Sequence, residues 1–243
     1  MKAVILAAGI ASRLRPLTDV TPKCLLKIGT RCLLERTFDA LLNNGISEFV
    51  VVTGYRERQI RDFLCEHYKE IDIKFIYNES YSRTNNIYSL WLTAQESKGR
   101  DILLLDSDIL FDPYIITAVL NNPAQNVLAL NRHELGEEEI KVIADTNNRV
   151  VEISKVCEIA KAVGESVGIE KMSATYTEAL FVELEQMIKV ENLDNVFYER
   201  AFERLIPNGF SFVVEDTTHY FSIELDTVDD FNQAKLLVPS ELY

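Results

Sequence analysis

The chain has 243 residues and a formal net charge of −13, from 38 acidic and 25 basic side chains, which argues against binding to nucleic acid or to an anionic membrane surface. No apolar stretch approaches the length of a membrane span and the N-terminus lacks a signal-peptide pattern, so we expect a cytoplasmic protein with no membrane association. Four cysteines and three histidines are scattered without paired spacing, which predicts neither a zinc site nor a disulfide framework. No linker or repeat divides the chain, and residues 1–243 are predicted to form a single domain.

The N-terminal segment combines a buried strand, a loop of small residues and two cations. Val4-Ile5-Leu6 predicts the strand, the small residues Ala7-Ala8-Gly9 follow it, and Arg13 and Lys23 lie beyond them. Backbone N–H groups of such a loop point beyond the carboxyl end of the strand, where open α/β sheets bind ligands. The two cations predict a polyphosphate ligand. An ordinary loop with surface cations is the alternative for any of these residues taken singly.

The spacing within this segment carries a family resemblance. The pattern G-x-x-x-R-x-x-P-x-x-x-x-x-P-K, from Gly9 to Lys23, resembles the N-terminal signature of the nucleoside-diphosphate-sugar pyrophosphorylase superfamily, the sugar-phosphate nucleotidyltransferases. Ala11 stands where many members have a second glycine. The resemblance implies that Arg13 and Lys23 are catalytic and that the nucleotide is bound by Leu6, Ala7, Ala8, Gly9, Ile10, Ala11, Ser12, Arg13 and Lys23.

The next elements alternate between helix and strand. A helix is predicted from near Gly29 or Thr30 to Asn43, followed by a strand over 48–53, a helix around Ile60 and a strand over 71–77. Strands that alternate with helices form parallel sheets through right-handed crossovers. We therefore predict an α/β fold, a three-layer Rossmann-like sandwich with a mainly parallel, partly mixed sheet.

A polar segment precedes the next helix. Thr84 or Asn85 is a plausible N-cap, so helix capping alone is one explanation of this segment. The run T-N-N-I-Y-S-L from Thr84 to Leu90 also resembles the corresponding run of bacterial phosphocholine cytidylyltransferases. In the superfamily this loop lies over the nucleotide base, which implies a nucleotide-binding role for Asn85 and favours an alcohol-phosphate acceptor over a sugar phosphate.

Two carboxylates follow a buried strand predicted over 102–105. Asp106 and Asp108 come directly after the apolar run, so they face the same crevice as the N-terminal loop. A turn or a helix N-cap near Asp112 is the alternative. Together with the two cations, the carboxylates predict a Mg²⁺ site, because Mg²⁺ takes carboxylate and phosphate oxygens. The resemblance implies that Asp108 is the metal ligand and that Asp106 lies behind it at the nucleotide.

The middle of the chain is predicted to contain strands over 126–131, 141–144, 149–153 and 164–169, and helices over 175–189 and 195–205. Lys155 falls where many superfamily members have a lysine that holds the acceptor phosphate, although a solvated surface lysine is an equal alternative. The F-Y-E segment that ends in Tyr198 and Glu199 looks like the acceptor-binding stretch of phosphocholine cytidylyltransferases, which implies that both residues bind the acceptor.

The C-terminal part is predicted to hold strands over 210–214 and 221–225 and a helix over 228–237. Asp226 is a helix N-cap in the simplest interpretation. The superfamily's second metal carboxylate comes from this strand-to-helix position, however, which implies that Asp108 and Asp226 hold one Mg²⁺ with Glu224 alongside.

The resemblance as a whole implies a transferase that moves CMP from CTP to a small organic phosphate or phosphonate. Lys155 would guide the acceptor phosphate, and Tyr198, Glu199 and Glu224 would bind an amino headgroup, with phosphocholine, phosphoethanolamine and 2-aminoethylphosphonate all open. One alternative is a sugar-1-phosphate or inositol-phosphate nucleotidyltransferase. Another is a catalytically silent nucleotide-binding module on the same fold. No pattern in the sequence predicts an oligomeric state.

Overall fold

The computed structural model describes residues 1–242. Within them thirteen strands follow one another along the chain, and the largest sheet contains nine of them. The strands are β1 (Lys2–Ala7), β2 (Lys27–Ile28), β3 (Arg31–Cys32), β4 (Glu48–Thr53), β5 (Asp72–Tyr77), β6 (Ile102–Asp106), β7 (Ile109–Phe111), β8 (Val127–Asn131), β9 (Lys141–Ala144), β10 (Val150–Ser154), β11 (Gly164–Met172), β12 (Val213–Asp216) and β13 (Ser222–Glu224).

Eight α-helices pack around the strands within residues 1–242. They are α1 (Leu33–Asn43), α2 (Glu57–His67), α3 (Asn86–Leu92), α4 (Ala94–Ser97), α5 (Tyr114–Asn121), α6 (Ala174–Glu185), α7 (Glu199–Leu205) and α8 (Val228–Leu237). In the described part of the chain, no helix is both long and apolar enough to cross a lipid bilayer.

The central sheet has a parallel half and a mixed half. Its main path runs β10-β9-β11-β6-β1-β4-β5, and the strands from β6 to β5 are all parallel. Strand β11 is antiparallel to β6, β8 and β9, and β12 runs parallel to β8 at the far side. The predicted fold class is confirmed, with the parallel half in the first half of the sequence.

Both faces of the sheet are buried, which explains the continuous apolar run at the N-terminus. In β1, Val4 and Leu6 pack into one core and Ala3 and Ile5 into the other, because side chains alternate along a strand. Helices on both sides complete the three layers. A third, smaller core lies between the N-terminal loop and α8, where Leu14 and Phe231 pack together with Leu225.

Several predicted boundaries are wrong. The first helix begins at Leu33, because residues 27–32 form the hairpin of β2 and β3 and Cys32 caps the helix. The helix predicted over 195–205 begins only at Glu199. The preceding residues dock instead on the T-N-N run, where the N–H of Asn85 donates to Asp194 and that of Tyr198 to Asn86.

Three other elements also differ from the prediction. The strand predicted over 210–214 begins at Val213, since Phe212 packs into the core. Helix α6 ends at Glu185 and continues as one π-helical turn, Gln186–Val190. Strand β7 was missed entirely, and its antiparallel pairing with β13 is the contact that assembles the site described next.

Candidate active site

A cleft of about 310 Å³ opens at the carboxyl ends of β1 and β6. Parallel pairing sets Leu6 opposite Asp106, so the N-terminal loop and the acidic loop after β6 face each other. Most of the predicted site residues line the cleft: Leu6, Ala7, Ala8, Gly9, Ala11, Arg13, Lys23, Asn85, Asp106, Asp108, Lys155, Glu199, Glu224 and Asp226. Ile10, Ser12 and Tyr198 are not among the lining residues.

The N-terminal loop approaches the cleft with little side-chain bulk. A Cβ atom at Gly9 would have no neighbour within 4 Å, so the loop leaves open space there. Ala11 has φ 50°, in the left-handed region that favours glycine, and its carbonyl accepts a hydrogen bond of 2.9 Å from the Thr18 hydroxyl. The glycine found in many superfamily members would adopt this conformation with less strain.

Three carboxylates converge on one side of the cleft. Asp108 follows β6, Glu224 ends β13 and Asp226 lies two residues further, and one oxygen of each lies within 4.8 Å of the others. The pairing of β7 with β13 sets Glu224 opposite Ile109, and the N–H of Leu225 donates to the Asp108 carbonyl at 3.0 Å. The short two-stranded sheet therefore brings the two acidic loops together.

Asp226 is not the N-cap of α8. Thr227 caps that helix in a reciprocal pair with Asp230, whose carboxylate also accepts from the N–H of Asp226. The side chain of Asp226 is thus free to face the cleft. Asn85, in contrast, does cap α3 by accepting from the N–H of Asn86, and it lines the cleft as well.

Lys23 lies between the carboxylates. Its Nζ is 2.9 Å from Asp108 Oδ2 and 2.7 Å from Asp226 Oδ1, and Arg13 forms an ion pair with Asp226 on the outer side. Burial by itself would lower the pKa of Lys23, but Asp108, Asp226 and Glu224 raise it above its usual range. Burial would raise the pKa of Asp226, but Lys23 and Arg13 hold it below its usual value.

The carboxylate cluster suits a hard divalent cation. Desolvation in the cleft and the charges of Asp108 and Asp226 raise the pKa of Glu224. Asp108 Oδ1 is buried and has no hydrogen-bond partner among residues 1–242. An oxygen donor set with an uncompensated buried acceptor is what Mg²⁺ binds in proteins, and Asp108, Glu224 and Asp226 together fit such an ion.

Lys155 and Glu199 also line the cleft. Lys155 Nζ is 3.3 Å from Glu138 Oε2 and 4.6 Å from the centre of the Phe197 ring, so it is a cleft residue and not a free surface lysine. Glu199 is 5% exposed, and its Oε2 is buried without a hydrogen-bond partner in the described part of the chain.

Tyr198 occupies a different place from the one its sequence predicted. Its side chain is fully buried, and its hydroxyl donates to Asp106 Oδ2 at 2.9 Å. The ring packs against Phe202 in the core and offers no face to the cleft. Tyr198 therefore positions Asp106 from behind, and direct contact with an acceptor is excluded by its burial.

Sequence reasoning missed several lining residues. Asn78 donates to Thr84 and Ser89 and so fixes the T-N-N loop, while Phe197, Glu138 and Ile140 line the wall near Lys155. Gly168 was also missed: it has φ 75°, and a Cβ there would lie 2.9 Å from Asp106 Oδ2. A glycine inside a predicted strand signals such a close approach and could have identified this position.

Comparisons with known proteins agree with this geometry. The family model described as "Nucleotidyl transferase" matches residues 2–130. The chain is 40% identical over 107 residues to a choline-phosphate cytidylyltransferase of Streptococcus pneumoniae, covering 44% of this chain and 45% of that protein. It is 32% identical over 132 residues to the CMP-5'-(3-aminopropyl)phosphonate synthase of Streptomyces rubellomurinus, covering 54% of this chain and 21% of that protein.

These matched segments span less than half of the length of either relative. Among solved structures, the CTP:phosphocholine cytidylyltransferase of Streptococcus pneumoniae superposes with a TM-score of 0.81, covering 98% of this chain and 99% of that one at 22% identity. This likeness shows a shared fold.

Proposed function

Because the chain belongs to the nucleotidyl transferase family, we propose that it is a Mg²⁺-dependent cytidylyltransferase. It would move CMP from CTP to a small amino-alcohol phosphate or phosphonate and release pyrophosphate. The observation that carries the proposal is the carboxylate cluster of Asp108, Glu224 and Asp226, with Lys23 and Arg13 against it, at the carboxyl end of the parallel strands. The activities for which the two relatives are named support a cytidylyl donor and an amino-bearing acceptor.

The reaction needs positioning and charge more than a proton acceptor. A phosphomonoester is mostly dianionic near neutral pH, since its second pKa is about 6. One of its oxygens attacks the α-phosphorus of CTP, the bond from that phosphorus to the bridging oxygen breaks, and pyrophosphate leaves with the electron pair. The barrier is the approach of two anions, which in-line positioning and surrounding cations lower.

The chain supplies those cations from the N-terminal loop. Lys23 and Arg13 lie beside Asp226 and would neutralise the triphosphate and the departing pyrophosphate, while the small residues around Gly9 let backbone N–H groups approach the phosphates. Asp108 and Asp226, with Glu224 alongside, would hold Mg²⁺, which when bound would supply positive charge at the reacting phosphates. Lys155, which pairs with Glu138 near Arg13, would bind the acceptor phosphate.

The direct test is Mg²⁺-dependent pyrophosphate release with each of the four ribonucleoside triphosphates. Each is combined with phosphocholine, phosphoethanolamine, 2-aminoethylphosphonate, inositol-1-phosphate and glucose-1-phosphate. We expect release with CTP and at least one amino-bearing acceptor. Release only with the sugar or inositol phosphate would replace the proposal by the corresponding nucleotidyltransferase. CTP binding without release from any pair would indicate a silent nucleotide-binding module.

Variants of the carboxylates test the metal assignment. Asp108→Asn and Asp226→Asn should each lower turnover by at least about 100-fold, as expected for loss of an electrostatic group at the reacting phosphates. Both side chains lie at the rim of the sheet, so the fold should persist in circular dichroism. Asp62→Asn, on the exposed face of α2, is the matched control. Near-normal Mg²⁺-dependent activity in either cleft variant would contradict the assignment.

A further inference from the structure

Three carboxyl groups cluster at one wall of the cleft, and those of Glu170 and Glu199 are buried. Asp106 ends β6, Glu170 is on β11 and Glu199 begins α7. Glu170 is fully buried and pairs opposite Leu104, two residues before Asp106 on β6, and Glu199 is 5% exposed. Burial and mutual repulsion raise the pKa of Glu170, and burial raises that of Glu199 to about 7.

The chain's own hydrogen bonds leave two of their oxygens unsatisfied. Asp106 Oδ2 accepts from the Tyr198 hydroxyl at 2.9 Å, and Glu170 Oε1 accepts from the Ser166 hydroxyl at 3.2 Å. Glu170 Oε2 and Glu199 Oε2 are buried and have no partner within residues 1–242. Buried acceptors of this kind are costly unless a donor reaches them. Because Glu199 also lines the cleft, a bound molecule can supply that donor.

We propose that Glu199, backed by Asp106 and Glu170, is a subsite for the primary ammonium group of the acceptor. The preferred acceptor is then an aminoalkyl phosphate or phosphonate with a free –NH₃⁺, in preference to one with a trimethylammonium group. The inference rests on the proposed function and adds the chemical class of the headgroup. A primary ammonium has N–H donors that can satisfy a carboxylate, whereas a quaternary ammonium has none.

The small number of aromatic side chains in the cleft also favours a primary ammonium group over a trimethylammonium group. A trimethylammonium group binds best against several open aromatic faces. The aromatic side chains that line the cleft are Tyr81 and Phe197, and the Phe197 ring already contacts Lys155 Nζ at 4.6 Å. Tyr176 and Tyr198, the tyrosines nearest to Glu170, are fully buried. Carboxylates therefore outweigh aromatic faces in the described walls of the cleft.

The position of Lys155 suits a short acceptor. Lys155 Nζ lies 4.6 Å from the centre of the Phe197 ring, two residues before Glu199, and both charged side chains line the cleft. The charge of Lys155 lowers the pKa of Glu199, against the larger effect of burial. A molecule with a phosphate or phosphonate at one end and an ammonium at the other would be complementary in charge to these two side chains. Lys155 would take the phosphate, and Glu199 would take the ammonium.

The first experiment uses graded N-methylation of the acceptor. Pyrophosphate release with CTP and Mg²⁺ is measured with phosphoethanolamine, its N-methyl and N,N-dimethyl derivatives, and phosphocholine. We expect kcat/KM to fall along the series and to be about 10–100-fold lower for phosphocholine, as expected for a lost charge-assisted hydrogen bond. Equal or better use of phosphocholine would overturn the inference and leave the proposed function intact. No release with any member, alongside release with inositol-1-phosphate or glucose-1-phosphate, would overturn both.

The second experiment uses charge-removing variants of nearly the same shape. Glu199→Gln should raise the KM for phosphoethanolamine about 10–100-fold, leave the KM for CTP unchanged and abolish the selectivity against phosphocholine. Glu170→Gln should also raise the KM for phosphoethanolamine, but by a smaller factor, because Glu170 acts through Glu199 and does not line the cleft. Glu66→Gln, on the exposed surface of α2, is the control.

The variants are judged on selectivity, so a general loss of activity cannot mimic the expected result. Acceptor affinity is measured in parallel by calorimetry with an unreactive CTP analogue bound. Unchanged selectivity and unchanged phosphoethanolamine affinity in folded Glu199→Gln protein would overturn the subsite. If that variant does not fold, the methylation series on the unmodified protein still tests the preference for a primary ammonium group.

Discussion

Lys23 balances the charge of three carboxylates that would otherwise repel one another. Its Nζ contacts Asp108 and Asp226 at 2.9 and 2.7 Å, and its side chain is only 11% exposed. Such a lysine has two effects, since it stabilises the folded cleft and also competes with a metal ion for the same oxygens. Both effects can be separated by measuring stability with and without Mg²⁺.

Lys23→Met is expected to destabilise the protein by about 1–3 kcal/mol in the absence of metal, because one partner of a partly buried ion-pair network is removed. Addition of Mg²⁺ should recover most of that loss, while turnover stays low. The measurement is thermal unfolding at neutral pH with and without Mg²⁺, with exposed Lys27→Met as the matched control. If Mg²⁺ does not reduce the destabilisation, Lys23 and the metal ion do not bind the same carboxylates.

Glu199 is a buried carboxyl group, and its Oε2 has no hydrogen-bond partner among residues 1–242. Its pKa rises from the usual 4.5 to about 7 in the folded protein because of burial. Between these values the folded state holds a proton that the unfolded state has released, so the free energy of unfolding falls as pH rises from about 4.5 to about 7. Above pH 7 the stability stays at the lower level.

Glu199→Gln should remove this pH dependence. The variant should be more stable than the unmodified protein at pH 8, by on the order of 2–3 kcal/mol, and about equally stable near pH 4.5. Urea unfolding at the two pH values measures the difference, and Glu66→Gln again serves as the control. A variant that is less stable than the unmodified protein at pH 8 would show that the carboxylate is satisfied in the folded state.

At the scale of elements, the nucleotide loop depends on a neighbouring glycine. Gly54 follows β4, and a Cβ there would lie 2.6 Å from the Ala8 carbonyl oxygen and 2.6 Å from the Tyr81 Cβ. The N–H of Tyr55 donates to the same carbonyl at 3.0 Å. The turn after β4 therefore packs directly against the N-terminal loop, so a displacement of the turn should also displace the loop.

Gly54→Ala is expected to cost about 1–3 kcal/mol of stability by overpacking, and to weaken CTP binding because the Ala8 loop is displaced. Gly9→Ala is the matched variant, since its added Cβ meets no atom within 4 Å. It should keep its stability and affect CTP binding alone. Chemical denaturation and nucleotide titration measure the two quantities, and equal stability of the two variants would refute the supporting role of Gly54.

The elements that sequence predicted well are those with strong local signals. The strand at 48–53, the strand at 141–144 and the helix at 228–237 have the predicted bounds, because apolar runs and a Thr227 cap mark them. Strand β7 has three residues and pairs with a strand more than 100 positions away, so no local pattern reveals it. Glu170 and Glu199 lie on different elements, β11 and α7, and no local pattern predicts that these elements meet.

The burial of Tyr198 also lies beyond local reasoning. Its neighbours Phe197 and Glu199 line the cleft, while Tyr198 points into the core because the segment before α7 docks on Asn86. The F-Y-E motif does lie at the cleft, with Phe197 and Glu199 in its lining. Which of the three side chains faces the cleft depends on a contact between segments 112 positions apart.

At the scale of the whole molecule, an acidic chain must bind an acidic ligand. The net charge is −13, and the cleft itself contains Asp106, Asp108, Glu199, Glu224 and Asp226. With Glu138 and Glu165, seven carboxylates line the described cleft, and Arg13, Lys23 and Lys155 are the cations that accompany them. Mg²⁺ at Asp108 and Asp226 would offset the negative charge of the cleft where the phosphates would bind. Metal binding and nucleotide binding should therefore be coupled.

This coupling predicts that Mg²⁺ and CTP together raise the melting temperature by more than the sum of their separate effects. A ligand at 100 times its Kd adds about 2.7 kcal/mol, which corresponds to roughly 5–10 °C for a chain of this size. CTP alone should give a much smaller shift, because the carboxylates repel it. Scanning fluorimetry with each ligand alone and with both measures the effect, and Asp108→Asn should make the shifts additive. An equal shift by CTP with and without Mg²⁺ would mean that Lys23 and Arg13 neutralise the triphosphate unaided, and the carboxylate cluster would then have no role in nucleotide binding.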